Sequence, residues 1–484
     1  WHLLSDFSEK KLLKDKEVKR ITFNEITSSA IKQAINSPRE IDQDLVDAYL
    51  ARRILDHLIG FKVSPLVWRH APPAKSAGRV QSPSLRIICE RETERDKHIK
   101  EEYWPISSKF EYDDFIFDAE LIKFNEEDLK KNPISSEKDI REIESELNSS
   151  EFYIKSIETK PQSSSPNPPF RTSTLQMTAS SFLGFTADRT MRAAQNLYEA
   201  GLITYLRTDG INISTSPNTG EPFSEENPGP PPLQEIRNVI VEKFGDKFLS
   251  DQVRVYKSKV KNSQEAHEAI RPTNIKTYPE NINLGQDEQK LYTLIWNRTL
   301  SSQMSNSQHE RKKIIVCSKG NKYVFNASSR KTLFEGFETL SKKDSSEIIE
   351  FPEDLKENKN VSLAQFISEQ KFTSPPNRYS EASLIKKMEE LGIGRPSTYA
   401  STVKGLRDKK YAYGAKSIAP SDLGRVLNSY LCGVYNEFFI ETKFTAELET
   451  ELDKIAEGSI SWTDVLDKFW EELQNYLSKK IDGI

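Results

Sequence analysis

The chain has 484 residues, which is enough for about two to four domains that each bury their own core. Its residues are 36% hydrophobic and 29% charged, and no apolar run reaches about eighteen residues, so the composition predicts a globular protein with no membrane-spanning segment. The formal net charge of −4 gives no overall indication of a nucleic-acid partner, and the three cysteines form no CxxC pair, which argues against a zinc site or a disulfide framework.

The first predicted elements are helices between residue 42 and about residue 100, where Leu45 and Ala48 begin a helical repeat. Residues 51–100 contain eleven Lys and Arg against five Asp and Glu. A local basic stretch can bind phosphate groups even in a slightly acidic protein. A solvated charged surface has the same composition and remains the alternative.

Two later segments, 103–124 and 312–327, are rich in aromatic and β-branched residues and predict antiparallel strands. Because they are far apart in sequence, they predict one β-rich domain assembled from two excursions of the chain. Between them, residues 161–169 have the composition of an extended linker. A helical block is predicted to begin near residues 172–174, and the Pro-, Gly- and Glu-rich segment 216–232 is predicted to be a surface insertion.

The segment 201–210, GLITYLRTDG, predicts a strand whose side chains alternate between two faces. One face is predicted to turn toward a core: Leu202, Thr204 and Leu206. The other face carries Ile203 together with a phenol, a guanidinium and a carboxylate, which belong to Tyr205, Arg207 and Asp209. A phenol with a pKa of about 10 is a poor nucleophile, but a nearby cation favours the phenolate and can hold a phosphate. A core tyrosine beside a surface arginine is the alternative interpretation.

Residues 197–210, LYEAGLITYLRTDG, resemble the active-site segment of type IA DNA topoisomerases. The resemblance implies that Tyr205 is the catalytic nucleophile, which becomes linked to the 5′ phosphate of a cut single strand, and that Arg207 assists. Leu206 stands where the family usually has Met, and Gly210 where Ser is common. Neither difference removes a group that the mechanism needs.

Residues 265–273, EAHEAIRPT, are a second segment that resembles this family. A histidine has a pKa near neutrality, so His267 is a candidate catalytic residue that donates to a phosphate oxygen or transfers a proton. Arg271 is a second candidate for phosphate binding. Residues 168–176, PPFRTSTLQ, are a further match at the entry to the tyrosine-containing region.

Further DNA-contacting positions follow from the resemblance. On the first helices and the loop after them they are Arg52, Arg53, Asp56, Phe61, Trp68, Ser76, Ala77, Gly78, Arg79, Val80 and Gln81. Aromatic rings interleaved with cations suit single strands, because bases stack while phosphates are held. The alternative for the arginine and aspartate at positions 52 and 56 is an ordinary i,i+4 surface pair.

A helix is predicted over about 380–391, with a glycine break at 392–394 and a second helix from near Ser397. This pair resembles a helix-turn-helix-like module of the family. The second helix would direct Ser397 and Thr398 toward a phosphate, and Arg395 and Lys410 would add charge. The sequence GRPSTYAS in this segment favours the bacterial-type topoisomerase I over topoisomerase III, and residues 444–458 agree.

The resemblance implies a multidomain toroid, mainly α-helical with a β-rich hinge domain. The implied parts are a helical base (1–98 and 375–484), a β-rich hinge (99–165 and 307–374) and a helical domain (166–306) that carries the tyrosine. The implied activity is relaxation of negatively supercoiled DNA by cutting, passing and resealing a single strand. No GxxxxGK[ST] loop is present, so ATP is not expected to take part. The protein is expected to act as a monomer.

The family holds Mg²⁺ through an acidic cluster in an N-terminal toprim domain, and residues 1–3 resemble the residues immediately after that cluster. We therefore expect the Mg²⁺ ligands to lie outside these 484 residues and this chain alone to be inactive or weak. A single-strand DNA-binding module without catalysis, and a topoisomerase III, are the alternative functions. The RTDG sequence at 207–210 resembles plant and algal relatives and suggests an organelle.

Overall fold

The structure is a computed structural model that describes residues 2–13, 16–214, 232–257, 268–341, 350–435 and 438–478. Nearly all of the predicted insertion at 216–232, and His267, lie outside the described residues. Within the described residues, no helix is both long enough and apolar enough to cross a membrane.

The first half of the chain alternates between helical and strand-rich stretches. It begins with five helices: α1 (His2–Glu9), α2 (Ser28–Asn36), α3 (Gln43–Lys62), α4 (Ser64–His70) and α5 (Gln81–Asp96). A strand-rich stretch follows: β1 (Glu102–Tyr103), β2 (Ile106–Tyr112), β3 (Phe115–Phe124), β4 (Glu127–Asp128), α6 (Glu137–Asn148) and β5 (Phe152–Ser164). The helices predicted between residues 42 and 100 are confirmed, except that residues 71–80 form a loop.

The second half repeats this order and returns to helices. Its first helices are α7 (Thr172–Leu183), α8 (Ala187–Glu199), α9 (Pro232–Phe244) and α10 (Gln286–Ser301). The strands that follow are β6 (Ser307–Ser318), β7 (Tyr323–Phe334), β8 (Asn360–Ser368) and β9 (Lys371–Phe372). The last elements are α11 (Glu381–Leu391), α12 (Tyr399–Asp408), β10 (Ala412–Tyr413), β11 (Ala419–Pro420), α13 (Asp422–Tyr435), α14 (Thr442–Ala456) and α15 (Trp462–Ser478).

Seven of the strands form one antiparallel sheet in the order β2-β8-β5-β6-β7-β3-β4, and the additional pairing of β2 with β3 closes it into a barrel. Phe110, Phe152 and Phe325 meet in its interior at ring-centroid distances of 5.0 to 6.0 Å. The prediction that distant segments form antiparallel strands of one β-rich unit is confirmed. The predicted linker is wrong at residues 161–164, because these continue β5 and pair with residues 307–310 of β6.

Two helical layers have separate hydrophobic cores. The first core joins α3–α5 to α11–α15, so the chain's two ends build one unit around residues such as Leu55, Leu384 and Leu452. The second core joins α7–α10 around Leu175, Leu197 and Ile240. The predicted start of the helical block near residues 172–174 is confirmed, since α7 begins at Thr172.

Two buried carboxylates on α11 hold the second helical layer against the first. Glu389 accepts hydrogen bonds from Arg171 Nε at 3.0 Å and from Ser173 Oγ at 2.5 Å at the start of α7. Glu381 accepts from the backbone N of Ala187 at the start of α8, at 2.7 Å, and also pairs with Arg407. A carboxylate is stabilised at a helix N-terminus, where backbone N–H groups lack helical partners. The contact between these layers is therefore polar as well as apolar.

Candidate functional site

Tyr205 lies in an irregular segment rather than in the predicted strand. Residues 204 to 208 do alternate: Thr204, Leu206 and Thr208 are buried, whereas Tyr205 and Arg207 are exposed. The predicted alternation is wrong at the two preceding positions. Ile203 is fully buried and Leu202 is only half-buried. The reason is that the chain turns at Gly201 instead of entering a sheet, which directs Ile203 into the core of α7–α10.

Buried threonine hydroxyls fix the backbone on either side of Tyr205. Thr204 Oγ1 donates to the carbonyl of Ala269 at 2.9 Å and accepts from the backbone N of Arg271 at 3.0 Å. Thr172 Oγ1, at the start of α7, donates to the carbonyl of Leu206 at 2.7 Å and accepts from the backbone N of Thr208 at 2.9 Å. Because buried hydrogen bonds rigidify the groups that they join, the segment around Tyr205 is held in one conformation.

The N-terminal region also contacts this segment. The backbone N of Tyr205 donates to the carbonyl of Asn24 at 2.7 Å. Gly201 has a φ of 73°, and a Cβ at this position would lie 2.5 Å from the carbonyl oxygen of Ile26. Glycine is therefore required here both by the backbone conformation and by the close approach of the neighbouring chain.

The Tyr205 side chain is available to a ligand. It is 42% exposed, and its ring lies edge-on to Tyr198 at a centroid distance of 5.4 Å. Burial raises the pKa of Tyr198, and the neighbouring Tyr205 raises it further, so Tyr198 remains a phenol and packs as a neutral ring. Arg207 is exposed and forms no ion pair with any described residue. An accessible phenol and an accessible guanidinium are thus two residues apart.

Arg271, the second candidate for phosphate binding, is buried. Its side chain is 1% exposed and is enclosed by two carboxylates: Nε donates to Glu268 Oε1 at 2.6 Å, and Nη2 lies 3.5 Å from Glu25 Oε2. Burial lowers the pKa of the guanidinium, but the charge of Glu268 outweighs it, so the net pKa is raised and Arg271 stays protonated. In this conformation, Arg271 stabilises the segment behind Tyr205 and does not face a phosphate.

Four of the predicted DNA-contacting residues belong to one cluster around the buried Glu449, which we call the arginine–carboxylate network. It consists of three arginines and three acids from α3, α14 and two loops: Arg52, Asp56, Arg79, Arg395, Glu449 and Asp453. Arg79 Nε lies 3.1 Å from Asp56 Oδ1, and its Nη1 pairs with Glu449. Arg395 Nη2 lies 2.6 Å from Asp453 Oδ2.

Glu449 is the centre of the network. It is 1% exposed, and its Oε2 lies 3.6 Å from Arg52 Nη2 and 3.8 Å from Arg395 Nε. Burial by itself raises the pKa of Glu449, but the charges of Arg79, Arg395 and Arg52 outweigh it and lower the pKa. The prediction that Arg79 holds a phosphate is not met in this conformation, because its guanidinium is buried and already paired with two carboxylates. Arg52 and Arg395 keep part of their surface exposed.

The exposed face of α3 carries an apolar groove. Phe61 is 73% exposed and lies 5.6 Å from the His57 ring, measured between ring centroids. Together with Leu50, Arg53 and Ile54 these residues line a cavity of about 520 Å³. Trp68 on α4 is also exposed, and its Nε1 donates to the carbonyl of Lys75 at 2.6 Å. Exposed aromatic rings next to a cation are suited to base stacking.

The loop that contains Ser76, Ala77, Gly78 and Val80 is supported by a residue that the sequence did not single out. Lys409 Nζ donates to Ser76 Oγ at 2.8 Å and to Gln81 Oε1 at 2.6 Å. Burial lowers the pKa of Lys409, and neighbouring Lys75 lowers it further. The Lys409-Lys410 pair was the available sequence signal. Lys410 itself is exposed with a φ of 61°, where it ends the turn after α12.

The start of α12 differs from the prediction. The helix begins at Tyr399, two residues after the predicted Ser397. Thr398 Oγ1 does not cap the helix but accepts from the backbone N of Arg395 at 2.9 Å and donates to its carbonyl at 3.0 Å. Ser397 is exposed. The hydroxyl of Thr398 therefore fixes Arg395 instead of facing a ligand.

The part of the chain that the structure describes contains no group of three or more His, Cys, Asp or Glu side chains that could hold a metal ion. The clustered acids that are present do not fit Mg²⁺, because Glu25, Glu268, Glu449 and Asp453 are all paired with arginines. A metal that needs several free oxygen ligands does not have them here.

Comparison with known proteins agrees with this architecture. A family model described as DNA topoisomerase matches residues 40–467. The chain is 44% identical to DNA topoisomerase 1 of Rickettsia bellii over 488 residues, covering 97% of this chain and 59% of that protein. It is 42% identical to DNA topoisomerase 1 of Rickettsia prowazekii over 515 residues, covering 100% of this chain and 64% of that protein. The chain thus spans about three fifths of the length of these relatives.

The fold also matches a solved structure, full-length topoisomerase I from Thermotoga maritima, with a TM-score of 0.80 and 36% identity. The match covers 95% of this chain and 73% of that one. Both the family match, over most of the chain, and the structural match support one conclusion: the chain belongs to the type IA family of bacterial-type DNA topoisomerase I.

Proposed function

We propose that this chain supplies the strand-cutting tyrosine and much of the single-strand binding surface of a type IA DNA topoisomerase. The observation that carries the proposal is the exposed phenol of Tyr205 on a backbone that buried threonines hold in place. A nucleophile must be accessible and preorganised, and both conditions are met at this residue.

The proposed reaction is a transesterification that conserves the number of phosphoester bonds. The Tyr205 oxygen attacks a backbone phosphorus, a P–O bond to tyrosine forms, and the P–O bond to the 3′ oxygen of the neighbouring nucleotide breaks. The phenol loses its proton and the departing 3′ oxygen gains one. Attack by that 3′-hydroxyl on the phosphotyrosine reverses the step, so resealing needs no ATP.

Positive charge must stabilise the developing charge on the phosphate oxygens. Arg207 is proposed to provide it, because it is exposed and two residues from Tyr205. His267 is proposed to donate to the phosphate or to transfer a proton, which rests on the sequence resemblance alone. Arg271 is proposed to support the adjacent backbone from the interior, in place of the direct phosphate contact predicted from the sequence.

The base is proposed to bind the single strand, with Phe61 and Trp68 stacking on bases and Arg53 holding a phosphate. Arg52 and Arg395 would contribute through their exposed edges, and the loop 76–81, Ser397 and Lys410 complete the proposed surface. The domain boundaries near residues 98, 165, 306 and 374 remain part of the proposal. We further propose that the unit 166–306 separates from the base at the α7–α11 contact while the barrel acts as the hinge.

Mg²⁺ is proposed to be bound by residues outside the described part of the chain, because that part has no group of three or more side chains that could hold a metal ion and its clustered acids are paired with arginines. When bound, the ion would neutralise phosphate charge near the cut. The same observation favours one second candidate function, a single-strand DNA-binding module without catalysis. Relaxation of supercoils, action as a monomer and a location in an organelle rest on the resemblance.

The decisive test is to trap and map a covalent adduct. The chain is combined with a toprim-containing fragment of a relative and Mg²⁺, and incubated with an oligonucleotide that carries a label on the 3′ side of the cut. We expect labelled protein whose modified peptide contains Tyr205 as a 5′-phosphotyrosine. Tight DNA binding without any adduct would instead identify the non-catalytic module, and an adduct on another residue would contradict the nucleophile assignment.

The binding groove can be tested independently. We expect Phe61→Ala to weaken binding of a single-stranded oligonucleotide by about 5- to 150-fold, because one base–aromatic stack contributes about 1–3 kcal/mol. Fluorescence anisotropy at one fixed salt concentration measures the change. Phe182 on α7 is a matched control, since it is 76% exposed against 73% for Phe61. Equal losses in the two variants would show that the α3 groove has no special role.

A further inference from the structure

The outer face of the barrel sheet carries a cavity of about 450 Å³, separate from the groove on α3. Five cations line it: Lys123, Lys130, Lys160, Arg311 and Lys313. Two acids, Asp128 and Glu158, line it as well, so the lining has a surplus of three positive charges. We call this set the barrel pocket. None of its residues belongs to the segments assigned above to cleavage or to strand binding.

The strand register places these cations side by side. Lys160 of β5 pairs with Arg311 of β6, which in turn pairs with Arg330 of β7. Directly paired residues in an antiparallel sheet project from the same face, and like charges in such pairs are destabilising. Glu338 lies 3.4 Å from Arg330 and relieves part of the repulsion. The positive charge that remains in this row of paired cations does not stabilise the fold.

The pocket cations are poorly neutralised by the protein. Among the described residues only Lys160 forms an ion pair, with Glu158 at 2.5 Å. The residues that resume the described chain at 350 contact other cations: Glu350 pairs with Lys331, and the carbonyl of Pro352 accepts a hydrogen bond from Lys312. Lys312 alternates with Arg311 and Lys313 along β6, so it projects from the opposite face.

A polar atom in the pocket also lacks a partner. Asn326, which pairs with Ile315 and with Glu120 across the sheet, has a side-chain Oδ1 that is buried and forms no hydrogen bond with any described residue. An amide oxygen only accepts hydrogen bonds, so its expected partner is a water molecule that donates to it and not a phosphate oxygen. The incompletely neutralised cations, and not this atom, are therefore what points to an anionic ligand.

We propose that the barrel pocket is a second nucleic-acid site, which binds the phosphodiester backbone of a DNA strand away from Tyr205. The proposal rests on the proposed function for the identity of the nucleic acid. Arg311 and Lys313 are two residues apart on one strand, about 7 Å along it, so each can contact a separate phosphate. The paired cations run across three neighbouring strands, from Lys160 of β5 through Arg311 of β6 to Arg330 of β7, which suits a polymer better than a small anion.

Salt dependence of binding tests the proposal. Each phosphate contact to a single strand contributes about 0.7 to the slope of log K against log salt. We expect the double variant Arg311→Gln, Lys313→Gln to lower the slope for a long single-stranded oligonucleotide by about 1.4. The matched control is Lys155→Gln, Lys319→Gln, which removes two exposed lysines, one near the start of β5 and one directly after the end of β6, and should leave the slope unchanged.

An unchanged slope in the Arg311, Lys313 variant would overturn the proposal, as would an equal fall in the control. A pyrophosphate titration separates the alternatives: if pyrophosphate binds the native chain at micromolar concentration while the DNA slope does not move, the pocket takes a free anion. An acidic peptide that binds the native chain but not the variant, with no change in the DNA slope, would assign the pocket to a protein partner. Because the readout is binding, the outcome does not depend on adduct formation at Tyr205.

Discussion

Replacing Tyr205 by phenylalanine is expected to abolish the covalent DNA adduct, with a fall in cleavage rate of at least about 10⁴-fold, as when a catalytic nucleophile is removed. The phenyl ring keeps the edge-on contact with Tyr198, and the backbone hydrogen bond to Asn24 does not involve the side chain. Only the nucleophilic oxygen is lost. Adduct formation on a labelled oligonucleotide, with the toprim-containing fragment and Mg²⁺ present, measures the effect.

Tyr198→Phe is the matched control, because it removes a neighbouring hydroxyl and leaves the ring pair intact. The unfolding midpoint and the oligonucleotide affinity of Tyr205→Phe should equal those of the native chain. An adduct that persisted in Tyr205→Phe would show that another residue is the nucleophile. Equal loss of adduct in both variants would show that the Tyr198 hydroxyl is required as well, so the loss would not be specific to the Tyr205 oxygen.

Removing the carboxylate of Glu449 is expected to cause the largest loss of stability. In Glu449→Ala, three arginines of the arginine–carboxylate network would face one another without their central acid. Breaking a buried ion pair by removing one partner costs about 3–5 kcal/mol. Urea or thermal unfolding of the chain measures this loss of unfolding free energy.

Glu451 on the same helix provides the control for this experiment. Its side chain is 31% exposed and pairs with Lys468, which is 64% exposed, so Glu451→Ala should cost no more than about 1 kcal/mol. If the two variants lost the same stability, the network would not be the element that joins α3 and α14. Glu449→Gln should fall between native and Glu449→Ala, because it keeps the volume and loses the charge.

The lowered pKa of Glu449 predicts that the stability of the fold depends on pH. The pKa of Glu449 is lowered in the folded protein from its ordinary value of 4.5, so its charge stabilises the fold above that pH. The contribution is lost as pH falls through the lowered folded pKa. The difference in unfolding free energy between the native chain and Glu449→Ala should therefore be constant above about pH 5 and shrink below 4.5.

Most elements whose pattern lies within a short stretch of sequence were predicted correctly. Helical spacing predicted α3 and α5, the glycine break separated α11 from α12, and aromatic and β-branched runs predicted strands of the barrel. The segment around Tyr205 was recognised by its residues. Its backbone was not, because Gly201 turns the chain and hydrogen bonds from Thr172, 33 residues earlier, replace a strand partner.

The sequence by itself determined the family, the candidate nucleophile and the residues rich in positive charge. Only the tertiary structure decided which of those charges are free. Arg79 and Arg271 carry the same guanidinium as Arg207, yet they are buried among acids from distant segments, whereas Arg207 is exposed. The physical reason is that the energy of a charge depends on its solvation and on its neighbours, and contacts between residues as far apart as 79 and 449 bring those neighbours together.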